Sequence, residues 1–440
     1  MGKVNKLSKG NSKKGFYRKY IKDPKTIAWI IFFFLVYLVL VIKLVTLKTL
    51  DNAILFGAYS VLVSTYILSR FGLSYFYEKD EEDFDENYEP TISFAVPSKN
   101  EGENIRETIL RMAKTDYPKN KFDIIAVNDG STDNTLEEML EAKKLAKKQG
   151  VKVEVIDWKI NKGKREGMAE CIRRSKNEIM VFIDSDSFVE KNTARELVKY
   201  FSNEKVGAVA GHAYVANENK NYLTKMQAVR YYVAFKAYKS AEALFGKVTC
   251  CSGCCSAYKR EYLLPILDKW LNQEFLGVKC TYGDDRALTN FLLKKNYTAL
   301  YSPTATAKTF VPEKFDVFMR QQLRWKKSWV RESFKASLFM WKTNPAMSLS
   351  FYTGVILPLL APIIIIRALI WFPYVTHNLP YFYIFGLVIM AVIYGLFYYI
   401  HTGDKKWTYG ILFASFCTII LMWQLPWAVA NLRDSSWGTR

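Results

Sequence analysis

Long apolar runs lie at both ends of this 440-residue chain, and they constrain its fold more than any other feature. Two occupy residues 27–47 and 53–77, and three more occupy residues 348–375, 380–400 and 407–431. A helix of about 20 apolar residues spans the roughly 30 Å hydrocarbon core of a bilayer. The sequence therefore predicts a multi-pass membrane protein with a polar domain between its apolar ends.

Basic residues crowd the N-terminus directly ahead of the first apolar run. Residues 1–26 contain nine Lys and Arg and one acid, Asp23. Cationic flanks stay on the cytoplasmic side, so the hairpin 27–77 returns the chain to the cytoplasm. We expect a plasma-membrane protein whose central domain is cytoplasmic and whose apolar helices contact membrane lipids. The net charge is +20, but no nucleic-acid-binding signature accompanies it, so nucleic acid is not an expected partner.

Residues 91–313 show the alternation of an α/β domain. Helical patterns at 105–114 and 136–149 separate short β-like runs, which lie at 92–96, 122–127, 152–156, 179–183 and 206–210. Strands that alternate with helices predict a mostly parallel sheet. Ligands of such sheets bind at the carboxyl ends of the strands. The acidic residues 78–90 are expected to form a solvated linker.

Four of the seven cysteines lie within six residues: Cys250, Cys251, Cys254 and Cys255. An odd number packed in this way does not indicate a secreted disulfide framework. Cys251 and Cys254 have the Cys-x-x-Cys spacing of a zinc site, but no second pair and no neighbouring histidine supports one.

Polar motifs follow the first two predicted strands. Pro97, Asn100 and Glu101 follow the first, and Asp129 stands in Asn-Asp-Gly-Ser-Thr-Asp after the second. Such residues dominate ordinary turns. The functional alternative is that Asp129 accepts hydrogen bonds from a nucleoside at the rim of a pocket.

Two pairs of aspartates have the chemistry of a group-transfer site. Asp184 and Asp186 end an apolar run, and carboxylates so placed hold Mg²⁺ or Mn²⁺ against a diphosphate. Asp284 and Asp285 precede a helical pattern. They are either acids at a helix N-terminus or include a general base for a hydroxyl group.

Gln321, Arg324 and Trp325 lie in an amphipathic segment, residues 314–346, that is typical of a helix on a membrane surface. The indole could stack on a sugar while its polar neighbours bind phosphates. The alternative is an interfacial tryptophan belt.

In this order, the five motifs resemble those of the processive family 2 membrane glycosyltransferases, which include cellulose, chitin and hyaluronan synthases. The resemblance covers residues 27–440. It implies a GT-A fold with an α/β sheet, inversion at the sugar, a divalent cation and a channel fused to the catalytic domain. It makes Asp184 and Asp186 the metal ligands and Asp285 the base, with catalytic roles also for Asp284, Arg286, Gln321, Arg324 and Trp325.

Narrower motifs resemble the bacterial-type (class I) hyaluronan synthases: Cys280 to Asn290, Gln321 to Glu332, and the tail Trp-Gly-Thr-Arg at 437–440. This implies UDP-glucuronate and UDP-N-acetylglucosamine as donors and a nascent polysaccharide that crosses the membrane. The rival is a chitin or poly-N-acetylglucosamine synthase. The implied substrate-binding residues are Pro97, Asn100, Glu101, Asp129, Lys164, Arg165, Asp184, Cys251, Gly253, Cys280, Trp437 and Arg440.

Two departures from the family pattern bear on acceptor specificity. Cys254 stands where the family has proline, and Gly167 stands where alanine is usual. The expected tail position near the active site also requires that one apolar run does not cross. Lys405 and Lys406 favour a cytoplasmic loop, and Pro426 interrupts helical bonding. Residues 407–431 are therefore expected to be re-entrant or interfacial.

These features divide the chain into seven segments. They are a basic terminus (1–26), two membrane helices (27–77), the linker (78–90), the catalytic domain (91–313), amphipathic interfacial helices (314–346), a transmembrane or re-entrant region (347–431) and a gating tail (432–440).

Overall fold

The computed structural model describes residues 23–49, 54–77 and 84–435. The basic residues 1–22, the acidic residues 78–83 and the expected tail contacts Trp437 and Arg440 lie outside this part of the chain.

The described helices are α1 Pro24–Thr49, α2 Ile54–Tyr77, α3 Ile105–Ala113, α4 Thr135–Lys148, α5 Lys164–Arg174, α6 Thr193–Val198, α7 Tyr222–Val233, α8 Ser240–Ala243, α9 Arg260–Leu263, α10 Leu267–Leu271, α11 Asp284–Lys294, α12 Phe315–Met340, α13 Pro345–Ile366, α14 Phe372–Thr376, α15 Tyr381–Thr402, α16 Trp407–Ile419 and α17 Gln424–Ala430. Two π-helical segments, Ala234–Lys239 and Arg367–Trp371, join α7 to α8 and α13 to α14.

The strands are β1 Ile92–Ser98, β2 Phe122–Asp129, β3 Lys152–Trp158, β4 Ile179–Phe182, β5 Ser187–Val189, β6 Val206–Val215, β7 Ser256–Lys259, β8 Glu274–Phe275, β9 Val278–Lys279 and β10 Thr298–Thr309. Eight of them form one sheet in the order β3-β2-β1-β4-β7-β6-β10-β5. The expected parallel pairings are present from β3 through β4 and between β6 and β10. Strands β5 and β7 run antiparallel to their neighbours, which makes the sheet mixed.

The central strands are buried on both faces, as strands of a helix-covered sheet must be. Phe94 and Ile124 belong to the apolar core on one face, whereas Ala95 and Ile125 belong to the core on the other. The parallel pairing of β1 with β2 and β4 brings the carboxyl ends of these strands to one edge of the sheet, and each of these ends carries one of the predicted motifs.

Four helices in the described part of the chain are long and apolar enough to cross a membrane: Pro24–Val45, Pro345–Thr376, Tyr381–Thr402 and Trp407–Ala430. Helix α2 has 24 residues, which at 1.5 Å per residue gives it the length of a span as well. The chain is therefore a membrane protein with an α/β domain between its apolar helices.

The membrane helices and the catalytic domain share one apolar core. Val229 and Tyr232 of α7 pack in the same cluster as Phe32 of α1, Phe71 of α2 and Phe397 of α15. A second contact joins α2 to the sheet: the Tyr77 hydroxyl donates a 2.5 Å hydrogen bond to the carbonyl oxygen of Tyr301 in β10. Only residues 216–221 lie between β6 and α7.

The last apolar segment is broken. Helix α16 ends at Ile419, a 3₁₀ turn follows at Leu421–Trp423, and α17 begins at Gln424. Pro426 lies in the first turn of α17, where its missing N–H does no harm. The Lys326 ammonium of α12 donates to the Leu421 carbonyl oxygen at 2.6 Å and to Gln424 Oε1 at 3.0 Å, and so holds the break against α12.

Candidate active site

The first two motifs hold each other in place at the ends of β1 and β2. Asn100 Oδ1 accepts a hydrogen bond from the Thr132 backbone N–H at 2.9 Å, and the Asn100 N–H donates to Ser131 Oγ at 3.0 Å. The Glu101 N–H donates to Thr135 Oγ1 at 2.8 Å. Asn100 has a φ of 53°, in the left-handed region that asparagine tolerates better than most residues.

Asp129 organises the loop that precedes α5. Its two carboxylate oxygens accept the backbone N–H groups of Lys162 at 2.6 Å and Gly163 at 2.9 Å. The Lys162 ammonium lies 4.3 Å from the centre of the Trp158 ring. The carboxylate that was expected to meet a nucleoside thus fixes the start of the helix that carries Lys164, and the nucleoside contact stays a prediction.

Lys164 and Arg165 begin α5 and point to different environments. The Lys164 ammonium is 2.5 Å from Asp184 Oδ1. The Arg165 side chain is 5% exposed, and its Nε donates to Asp284 Oδ1 at 2.7 Å. Lys164 therefore faces the site at the end of β4, whereas Arg165, an expected substrate contact, is buried in an ion pair with the first acid of the Asp-Asp motif.

Gly253 lies where three charged groups converge. A Cβ atom added at Gly253 would be 2.9 Å from Asp184 Oδ1, 3.1 Å from Asp285 Oδ1 and 3.1 Å from the Lys164 ammonium. The Gly253 backbone N–H donates to Asp285 Oδ2 at 2.8 Å. Four sequence motifs therefore meet at one point, and the expected base and an expected metal ligand face each other across it.

The loop around Gly253 is anchored on both sides. The Cys251 N–H donates to Thr289 Oγ1 in α11 at 3.1 Å. On the other side, Lys239 donates to the Cys250 carbonyl oxygen and, at 3.0 Å, to Ser252 Oγ. All seven cysteines are free thiols. Burial raises the pKa of Cys251 to about 12, so this thiol serves packing rather than nucleophilic chemistry.

We expect Gly253→Ala to reduce the catalytic rate of the enzyme by about 10²-fold, because the added methyl group displaces the carboxylates that must align with the substrate. The free energy of unfolding should change by no more than about 1–3 kcal/mol, as for overpacking elsewhere. Gly72→Ala is the matched control, since a Cβ there meets no atom within 4 Å. Full turnover in purified Gly253→Ala protein would show that this crowded point is not the reaction centre.

The carboxylates of the site are crowded and half-buried. Burial raises the pKa of Asp186 to about 6, and the charge of Asp184 adds to the effect. Burial also raises the pKa of Asp285 above its ordinary value, with Lys164 opposing the shift. Each shift reflects chiefly the burial of a carboxylate, to which the negative charge of Asp184 adds. A bound cation would relieve this unfavourable charge, and a raised pKa makes a carboxylate better able to accept a proton.

The two acids of the Asp-Asp motif have separate surroundings. Asp285 faces Gly253, whereas Asp284 is 3% exposed and belongs to a buried polar network. In that network Arg165 also donates to the Trp270 carbonyl oxygen at 2.9 Å and to Gln273 Oε1 at 3.3 Å. Asp284, which the sequence grouped with the catalytic residues, therefore orients α11 and is not itself aimed at the reaction centre.

Glu332 of α12 is the centre of the same network. It is fully buried and accepts hydrogen bonds from Gln273 Nε2 at 3.2 Å, Asn290 Nδ2 at 3.2 Å and Arg331 Nε at 3.0 Å. The sequence pattern read α12 as amphipathic and interfacial, but these polar residues face the catalytic domain. In the sequence, Arg331 and Glu332 stood out only as part of the longer motif from Gln321 to Glu332. No sequence pattern pointed to Gln273.

Helix α12 closes the site with the Gln-x-x-Arg-Trp motif. The Trp325 ring lies 6.4 Å from the Tyr231 ring and 5.3 Å from the Arg230 guanidinium carbon. Burial lowers the pKa of Arg324, and the charges of Asp284, Asp184 and Asp285 oppose that shift. The motif thus places the guanidinium group of Arg324 within electrostatic reach of the carboxylates, whereas the Trp325 ring contacts Tyr231 and Arg230 of α7.

Three more of the expected residues are Gln321, Arg286 and Cys280. Gln321 Oε1 accepts a hydrogen bond from Gln322 at 3.4 Å, and Arg286 donates one to Thr249 Oγ1 at 3.3 Å. Cys280 is 3% exposed, and its backbone N–H donates to the Gln273 carbonyl oxygen at 2.9 Å. Pro97 packs so closely on α5 that a Cβ on Gly167 would lie 2.8 Å from Pro97 Cβ. The departure at Gly167 is therefore matched to a close helix–strand approach.

The last described residues lie on the Asp-Asp motif. Lys327 forms a 2.6 Å ion pair with Asp434, and the Tyr282 hydroxyl donates to the Asp434 carbonyl oxygen at 2.8 Å. Thr281 Oγ1 donates to the Ser435 carbonyl oxygen. Residues 434 and 435 thus contact Thr281 and Tyr282, which precede the Asp-Asp motif by two to three residues. The expected tail contacts follow residue 435 in the sequence.

The residues present fit a divalent cation. Asp184 faces a positive group, Lys164, and Asp186 accepts hydrogen bonds from the hydroxyls of Ser187 and Thr309 at 3.4 Å. No group of three or more His, Cys, Asp or Glu side chains in the described part of the chain is assembled around a metal position. The protein would supply one or two carboxylates, and diphosphate oxygens and water would complete the shell, as is usual for Mg²⁺.

Known proteins resemble this chain along most of its length. The sequence pattern of glycosyl transferase family 2 matches residues 93–266. A hyaluronan synthase of Streptococcus pyogenes serotype M3 is 30% identical over 389 residues, 87% of this chain and 90% of that protein. An N-acetylglucosaminyltransferase of Azorhizobium caulinodans is 28% identical over 359 residues, 80% of this chain and 87% of that protein.

The fold has a counterpart among solved structures. A mannosyltransferase of Pyrobaculum calidifontis, solved in complex with GDP-Man and Mn²⁺, superposes with a TM-score of 0.58 at 19% identity, covering 83% of this chain and 99% of that one. The mixed sheet, with its acidic edge, is that of the GT-A glycosyltransferases. The chain belongs to family 2 of the glycosyltransferases, in the group that carries membrane helices.

Proposed function

We propose that this protein is a processive, inverting synthase that makes hyaluronan from UDP-glucuronate and UDP-N-acetylglucosamine and passes the polymer across the membrane. The observation that carries the proposal is the convergence of Asp184, Asp285 and Lys164 at Gly253. A base, a diphosphate-neutralising group and a metal-binding carboxylate then surround a single reacting centre. The likeness to the streptococcal hyaluronan synthase over 87% of the chain supports the choice of product.

In the proposed reaction, a hydroxyl oxygen of the acceptor sugar attacks the anomeric carbon of the donor. The bond from that carbon to the UDP oxygen breaks, UDP leaves with the electron pair, and the hydroxyl proton passes to Asp285. Lys164 faces the developing diphosphate charge, and such preorganised charge is often the largest catalytic contribution. Trp325 stacks on the acceptor ring and Arg324 lies beside the phosphates.

Asp184 and Asp186 would hold a Mg²⁺ or Mn²⁺ ion in this site. When bound, the ion neutralises the diphosphate leaving group. The mannosyltransferase that shares the fold was solved with Mn²⁺, which supports a divalent ion without deciding between the two metals. Lys164, 2.5 Å from Asp184, would then be free to move to a phosphate oxygen.

A second candidate function is a chitin or poly-N-acetylglucosamine synthase that uses UDP-N-acetylglucosamine alone. The N-acetylglucosaminyltransferase of Azorhizobium caulinodans favours it, because its identity to this chain is only slightly lower than that of the hyaluronan synthase. Both candidates share the reaction centre described above and differ in the sugars that the acceptor side must accept.

Incorporation of radiolabelled sugars by sealed inside-out membrane vesicles separates the two candidates. We expect polymer only when both UDP-sugars are supplied. Polymer from UDP-N-acetylglucosamine alone would establish the second candidate instead. Right-side-out vesicles are the control: because we place the catalytic domain in the cytoplasm of a plasma-membrane protein, they should incorporate nothing until they are permeabilised. Equal incorporation by both vesicle types would contradict this orientation.

A further inference from the structure

Arg230 of α7 is a half-buried cation with no acidic partner among the described residues. Its guanidinium carbon lies 5.3 Å from the centre of the Trp325 ring and 5.5 Å from that of Phe413 in α16. Its Nη1 atom is buried and has no hydrogen-bond partner, and no ion pair joins Arg230 to any residue in the described ranges. A buried guanidinium N–H that stays unpaired costs free energy, so the position demands an explanation.

A second cation, Lys326 of α12, is close enough to Arg230 for the two charges to interact. Lys326, next to Trp325 in the chain, donates to the Leu421 carbonyl oxygen and to Gln424 Oε1, both of which are uncharged acceptors. Burial lowers the pKa of Lys326 to about 8, and the charge of Arg230 contributes to the shift. The junction of α7, α12 and α16 therefore carries positive charge that the described residues do not neutralise.

The place of this charge in the fold indicates what would neutralise it. Trp325 is the expected stacking surface for the acceptor sugar, and Arg230 lies over the same indole ring. Phe413, whose ring lies 5.5 Å from the same guanidinium carbon, belongs to the membrane helix α16, and under the proposed function a growing polymer moves toward the membrane helices. A sugar that leaves Trp325 for the membrane helices therefore passes the guanidinium group.

We propose that Arg230 forms a subsite for the carboxylate of an acidic sugar in the nascent polysaccharide. A guanidinium group matches a carboxylate with two parallel hydrogen bonds, and Nη1 of Arg230 has no hydrogen-bond partner in the described part of the chain. A neutral polymer would leave the cation unpaired, whereas a uronic acid would compensate it once in each disaccharide. The inference rests on the proposed function and deepens it, since it names the residue that selects a uronate-containing chain.

Binding of defined oligosaccharides to the full-length protein in detergent tests the subsite by calorimetry. The probes are a tetrasaccharide of alternating glucuronate and N-acetylglucosamine, the same compound with its carboxylates methyl-esterified, and a chitin tetrasaccharide. We expect the free acid to bind roughly tenfold more tightly than the ester, the effect of one charge-assisted hydrogen bond. Equal affinity for acid and ester in the wild-type protein would overturn the proposal.

Three variants assign the preference to Arg230. Arg230→Met should remove the preference for the acid and leave affinity for the chitin tetrasaccharide unchanged, whereas Arg230→Lys should retain part of it. Arg320→Gln is the matched control on α12, because Arg320 is 52% exposed and paired with Asp316 at 3.0 Å. An acid preference that survives in folded Arg230→Met, or that anionic phosphatidylglycerol abolishes by competition, would refute the subsite. If Arg230→Met does not fold, the acid–ester comparison on Arg230→Lys decides.

The same protein preparation separates this proposal from the proposed function. Synthesis that needs both donors, together with unchanged acid preference in Arg230→Met, would leave the hyaluronan assignment standing and remove the subsite. Polymer made from UDP-N-acetylglucosamine alone would remove the assignment, and a uronate subsite with it.

Discussion

Asp285→Asn should retain UDP binding and lose about 10²- to 10⁴-fold in polymer synthesis, the usual contribution of a positioned general base. The amide oxygen of asparagine can still accept the Gly253 N–H, which now donates to Asp285 Oδ2 at 2.8 Å. The fold around the site is therefore kept while the proton acceptor is lost. Initial rates of radiolabel incorporation, with UDP affinity measured in parallel, give the result.

The neighbouring acid provides the contrast that makes this experiment specific. Asp284→Asn leaves Arg165 buried without its carboxylate, and breaking a buried ion pair in this way costs about 3–5 kcal/mol of stability. We therefore expect a lowered unfolding temperature for Asp284→Asn and an unchanged one for Asp285→Asn. Near-normal synthesis by the Asp285→Asn protein would refute its assignment as the base.

Removal of divalent cations should abolish synthesis altogether, because the charge that develops on the leaving diphosphate would lose several kcal/mol of stabilisation. EDTA should stop incorporation, and added Mg²⁺ or Mn²⁺ should restore it. Asp184→Asn should raise the metal concentration needed for half-maximal rate. Asp268→Asn is the control, since the Asp268 side chain is 91% exposed and its Arg173 partner is 3.8 Å away. Unchanged synthesis in metal-free buffer would contradict a metal role for Asp184 and Asp186.

Strand positions were predictable wherever apolar periodicity is strong. Strands β1 and β2 begin at the predicted residues, Ile92 and Phe122, and extend two residues beyond the predicted ends. Strands β7 and β10 were missed. β7 has only four residues, and β10 contains Pro303 and small polar residues in place of an alternating apolar pattern. Both pair with β6, and that sequence-distant pairing gives them their strand geometry.

The motif residues were also predictable, but their division of labour was not. The sequence shows Lys164 beside Arg165 and Asp284 beside Asp285. It does not show that Arg165 and Asp284 form a buried ion pair with each other while Lys164 and Asp285 face the reaction centre. That division depends on α5 and α11 starting at Lys164 and Asp284, so that successive side chains lie about 100° apart around each helix. The sequence did not single out Arg230, because its surroundings come from helices that are distant in the sequence. Nothing in the local sequence shows that no acidic side chain lies near it in the described fold.

The common core of α7, α1, α2 and α15 limits how a polymer could be moved. A catalytic domain joined to the membrane helices through buried Val229, Tyr232 and Phe71 cannot rock as a separate body without exposing that core to water or lipid. Under the proposed function, stepwise advance by one sugar would then come from small local displacements, such as those of side chains at Trp325 or of the broken helix held by Lys326. The catalytic domain and the membrane helices would then stay fixed relative to each other while the polymer advances, and movement would be confined to residues near Trp325.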